Sequence, residues 1–128
     1  MKNRFLTAAL AATLVVGMSA PALAHGSMKP SHGGVVQMTG EIMFELVKTA
    51  KGVDIYLTEE DEPLAASGFD AKLIVTSAAG QKTTTALKPV TGNRFTAAGL
   101  KLGAGSKVVV ALVGKGPAAK TFATFQMK

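Results

Sequence analysis

From Gly34 onward, short runs with every second residue apolar alternate with Gly, Pro, Asn and Ser, and no stretch sustains the i, i+3, i+4, i+7 spacing of an amphipathic helix. The pattern predicts strands. Ile42, Phe44 and Leu46 share one face of a strand over 42–48, and Val53, Ile55 and Leu57 do the same over 53–58. Ala50-Lys51-Gly52 joins the two as a hairpin. Further strands are predicted at 35–38, 71–77, 82–90, 94–97, 107–113 and 120–127, with turns at Gly80, Gly92-Asn93, Gly103-Ala104-Gly105 and Gly114-Lys115-Gly116-Pro117. In the 107–113 strand Val108, Val110 and Leu112 should point inward. Val109 and Val113 face the other way, so both faces are covered or the strand lies near an edge contact. The expected class is all-β: an immunoglobulin-like two-sheet sandwich of about eight short antiparallel strands. A small barrel is the alternative.

The start of the chain reads differently. Lys2 and Arg4 precede an apolar run from Phe5 to Val16, and Ala22-Leu23-Ala24 supplies a small-x-small cleavage pattern, so residues 1–24 read as a secretory signal. Cleavage would make His25 the first residue, followed by a flexible His- and Met-containing leader over 25–34 and a β domain over 35–128. Without Lys2 and Arg4 the net charge falls from +6 to +4, and the basic side chains are scattered singly, which does not favour a nucleic-acid partner. After the signal no run approaches the ~20 apolar residues of a spanning helix, so stable membrane insertion is not expected. Export and the absence of cysteine point to a bacterial periplasm or the exterior, with the periplasm as the expected compartment, and to a small domain that stands on packing without disulfides.

The protein's two histidines, His25 and His32, fall within the first eight residues after the expected cut, together with Met28. Imidazole binds copper, zinc and nickel, and thioether sulfur selects Cu(I). The mixture therefore suits a copper ion, with zinc a second candidate, better than calcium or magnesium. A free α-amine at His25 could close a chelate with its own ring, with His32 as a further donor and Met28 serving the Cu(I) state. Amine and imidazole must both be unprotonated, with ordinary pKa values of about 7.7–8.0 and 6.5. Met38 and Met43 rank behind these, because methionine commonly fills irregular gaps in cores. Glu59-Glu60-Asp61-Glu62 before Pro63 reads as a solvated turn, since it lacks the spaced acids of a calcium loop. There is no Gly-x-Ser-x-Gly elbow, P-loop or cysteine nucleophile, so hydrolytic catalysis is not expected.

Several segments carry a resemblance: His25-Gly26 through Lys29-Pro30 to His32-Gly33-Gly34-Val35-Val36, then Phe44-Glu45-Leu46-Val47, Ile55-Tyr56-Leu57-Thr58, Leu87-Lys88-Pro89, Gly92-Asn93-Arg94-Phe95 and Val108-Val109-Val110. In these the chain resembles small exported bacterial β-sandwich proteins that accompany heavy-metal, notably copper, resistance and efflux systems. The resemblance implies a periplasmic sandwich whose His-containing leader contacts copper or a related ion, as a carrier or accessory near an efflux pump. It also implies a departure: where relatives carry an Asp-His-Gly-like turn, this chain has Glu60-Asp61-Glu62 ahead of Pro63 and so lacks a third imidazole. His25 alone resembles the first residue of periplasmic copper-resistance sandwiches and copper oxygenases.

The sequence thus leads to a non-enzymatic periplasmic metal-binding accessory or carrier with His25, His32 and Met28 as ligands. Its partners would be a metal ion and a metal-efflux component or other periplasmic protein. An envelope interaction module without metal is the alternative, and a copper-dependent oxidase stands further out.

Overall fold

The computed structural model describes residues 28–116 and 120–128. The expected signal segment, its cleavage point and His25 therefore lie outside the described residues. Among the described residues no helix is long and apolar enough to cross a membrane.

Among the described residues nine strands follow one another: β1 (Val35–Thr39), β2 (Ile42–Thr49), β3 (Gly52–Glu59), β4 (Glu62–Pro63), β5 (Phe69–Thr76), β6 (Lys82–Pro89), β7 (Arg94–Ala98), β8 (Lys107–Gly114) and β9 (Lys120–Gln126). A 3-10 turn, Ala66–Gly68, precedes β5. All the pairings are antiparallel, as the alternating pattern predicts. Thr49 pairs with Gly52, so Ala50 and Lys51 form the tip of the expected hairpin. Glu60 and Asp61 turn between Glu59 and Glu62 with φ of +49° and +65°, so the acidic run is a tight hairpin turn.

The two-sheet expectation is met only in part. The strands follow one hydrogen-bonded path, β1-β2-β3-β7-β6-β5-β8-β9, with β4 added to β3. Strand β6 joins the halves: its residues 82–87 pair with β5, whereas Lys88 and Pro89 pair with Thr96 and Phe95 of β7. At the other end β1 lies beside β9, where the Thr39 hydroxyl donates to the Phe122 carbonyl at 2.8 Å. The sheet is thus folded over and nearly closed, which leaves few free edges.

The core fills the space inside. Phe44 and Leu46 from β2, Val53, Ile55 and Leu57 from β3, Leu73 from β5, Phe95 from β7, Val108, Val110 and Leu112 from β8, and Phe125 from β9 are all buried in one cluster. The period of two dictates the opposite face. On β2 that face carries Met43, Glu45 and Val47, and on β3 it carries Asp54, Tyr56 and Thr58. The candidate site lies on this outer surface.

Candidate functional site

Glu45 alternates with Phe44 and Leu46, so its carboxylate must point away from the apolar core, yet it is only 2% exposed. The segment just before β1 covers it. The backbone N–H groups of His32 and Gly34 donate to Oε2 at 2.8 and 2.9 Å, and that of Ser31 donates to Oε1 at 3.0 Å. The His32 ring completes the set, with Nδ1 at 3.0 Å from Oε1. A buried carboxylate without donors would be costly, and these four groups supply both oxygens. Burial pushes the Glu45 carboxyl up, but the bonds from the His32 ring and from the Gly34, His32 and Ser31 amides outweigh it and hold the pKa below the ordinary value.

Two glycines make the wrap. Gly33 has φ +71°, a conformation L side chains rarely adopt, and it lets the amides on either side converge on one carboxylate. At Gly34 a Cβ would land on the Leu46 carbonyl oxygen, so only glycine lets the chain approach β2 this closely. The sequence pattern leaves this stretch without an element. Its anchor is a side chain from β2.

The His32 ring also stacks on Tyr56, with centroids 3.6 Å apart and planes at 10°. Tyr56 is the register partner of Glu45 on one side and of Arg94 on the other, so the imidazole is held by two neighbouring residues of one rung. Arg94 in turn lies 3.7 Å from Asp54 through Nη1 and Oδ2. His32 itself remains 40% exposed.

This geometry fixes a tautomer. An ionised carboxylate can only accept, so the neutral His32 ring carries its proton on Nδ1 and keeps a lone pair on Nε2. A carboxylate behind an imidazole in this manner orients and strengthens a metal-ligating nitrogen. Of the residues singled out in the sequence, His32 is the one that lies against a buried carboxylate. Met28 is 50% exposed at the first described position, and His25 is not described. Among the described residues no group of three or more His, Cys, Asp or Glu side chains is arranged to hold a metal ion.

Sequence reasoning did not single out Glu45 or Tyr56 for the site. A signal for Glu45 exists: it is the charged residue on a face it shares with Met43 and Val47. A carboxylate on an apolar strand face calls for donors from elsewhere. Nothing comparable marks Tyr56, whose partner is set by the path of the preceding segment.

No family model matches the chain, and no curated protein matches it. Among solved structures, a crystal structure described as a Br derivative of BhCBM56 is similar with a TM-score of 0.47 and 16% identity, over 71% of this chain and 97% of that one.

Proposed function

We propose that the protein is a periplasmic, non-enzymatic metal-binding accessory or carrier, with copper as its cargo and zinc as the competing ion, in heavy-metal homeostasis. The observation that carries this reading is the Glu45–His32 pair, which orients a partly exposed imidazole with Nε2 as its available donor. Export with cleavage before His25 would add an α-amine and a second imidazole on the same segment, seven residues upstream. Met28 would add a thioether for the reduced ion. A site with so few protein ligands releases its cargo readily, which suits delivery to an efflux component.

Titration of the exported protein with Cu(II), Cu(I) and Zn(II) tests this. Stoichiometric Cu binding that His32→Gln weakens is expected, and a flat titration with all three ions overturns it. The metal-free interaction module draws support from Phe122, which is 52% exposed on the outside of β9. Loss of host metal tolerance on Phe122→Ser, with H32Q silent, would favour that reading.

A further inference from the structure

The exported part of the chain contains four methionines, Met28, Met38, Met43 and Met127, and the fold divides them. Met127 packs in the core cluster. Met28 lies on the segment that carries His32, and Met38 and Met43 are direct register partners across the β1-β2 hairpin. Because Phe44 points inward, Met43 points outward on the same face as Glu45. It is only 7% exposed yet does not belong to the core cluster. Met38, as its partner, shares that face, and Cβ atoms of directly opposed residues lie roughly 4.5–5.5 Å apart. Glu45 is two residues from Met43 along β2, a separation of about 6.6–6.8 Å, and it holds the His32 ring. The two methionines thus pair one same-face step along β2 from Glu45, the residue that holds the His32 imidazole.

We infer that Met38 and Met43 form the sulfur half of a site for a soft monovalent cation, Cu(I) or Ag(I), completed by Nε2 of His32 and by Met28. The inference rests on the metal-carrier reading and narrows it to an oxidation state. Thioethers bind soft monovalent ions and give little to Cu(II) or Zn(II). Long unbranched side chains on adjacent strands can close on an ion without moving the backbone.

The test uses the exported protein with its methionine methyl groups labelled with carbon-13, titrated anaerobically with Ag(I) and then with Cu(I). The Met38 and Met43 methyl signals are expected to shift together with the His32 ring signals, while Met127 stays in place. The volume-conserving double substitution Met38→Leu with Met43→Leu should lower Cu(I) affinity at least tenfold and leave Cu(II) affinity within twofold, with unchanged thermal stability showing that the fold survives. If the His32 ring responds but the two methyl signals do not, the sulfur half is wrong and the carrier reading stands. If Ag(I) and Cu(I) move no signal, and Cu(II) and Zn(II) also fail to bind, both fall together.

Discussion

Nδ1 of His32 lies 3.0 Å from Oε1 of Glu45, a carboxylate that the alternation of β2 turns away from the core and that the chain then buries with its own backbone. The pair links fold and chemistry, since the group that fixes the imidazole also tethers the segment carrying it. Removing the carboxylate should release that segment and leave the rest of the sheet intact. For Glu45→Gln, whose amide nitrogen cannot accept from the N–H donors, hydrogen bonds to a charged group worth about 1.5–3 kcal/mol are lost. Amide exchange at Ser31, His32 and Gly34 should accelerate by roughly 10- to 100-fold, at about 1.4 kcal/mol per tenfold. Exchange in β8 should not change, and equal acceleration in both places would contradict the tether.

The same pair gives the metal-free protein an acid response of defined sign. The folded carboxyl of Glu45 lies below its ordinary 4.5, because the donors from His32, Gly34 and Ser31 overcome the upward push of burial. A depressed folded pKa contributes stability that is complete above the ordinary value and is lost as pH falls through the lower, folded one. The amide signals of Ser31, His32 and Gly34 should therefore hold steady down to about the ordinary carboxylate range and move below it. In E45Q that titration should vanish, and its persistence would assign the transition to another group.

The glycines of the wrap separate two physical effects. A Cβ at Gly33 meets nothing within 4 Å, so Gly33→Ala carries only the left-handed conformational penalty of roughly 1–2 kcal/mol. At Gly34 the backbone φ is not positive, but a Cβ would overlap the Leu46 carbonyl and crowd Val47 Cγ2 at 2.9 Å. Gly34→Ala must therefore shift the chain away from β2, and should free the His32 segment more completely than G33A does. Tyr56 stacking, as seen in His32 ring-proton shifts, is the direct readout. A G34A protein that kept those shifts would show that the approach to β2 is looser than it looks.

Tyr56 offers its ring to His32, and the stacking should depend on the ring alone. Tyr56→Phe should leave the imidazole in place. Tyr56→Ala should remove an aromatic contact of about 0.5–1.5 kcal/mol and broaden the His32 signals. If Y56F behaves like Y56A, the Tyr56 hydroxyl and not the ring holds the imidazole.

Strand content was legible in the sequence wherever one face is buried. In β2, β3, β5 and β8 the alternation marks the strands to within one or two residues, and Val108, Val110 and Leu112 face inward as their spacing predicts. The connection between the halves was not legible. Lys82–Pro89 is largely exposed and polar, so no apolar period tells that its end leaves β5 for β7, and a two-residue strand such as Glu62–Pro63 has no period at all. The site divides the same way. Residue type singles out His32, whereas Glu45 looks like any outward polar position until the path of residues 31–34 places four donors around it.

Adjacent residues of β2 should consequently fail in different ways. Phe44 is fully buried in the central cluster, so Phe44→Ala removes apolar contacts and leaves a cavity, a change that costs about 3–5 kcal/mol in comparable cores. That loss should lower the midpoint of global unfolding, with tryptophan-free detection by circular dichroism. Glu45→Ala removes the anchor of a peripheral segment, and once that segment lifts away the uncovered β2 face meets water without an orphaned charge. Its global midpoint should fall much less than that of F44A, although its His32 ring loses its fixed orientation. Two comparable losses of global stability would mean that residues 31–34 are part of the cooperative core, and the carboxylate would then hold the fold as much as the imidazole.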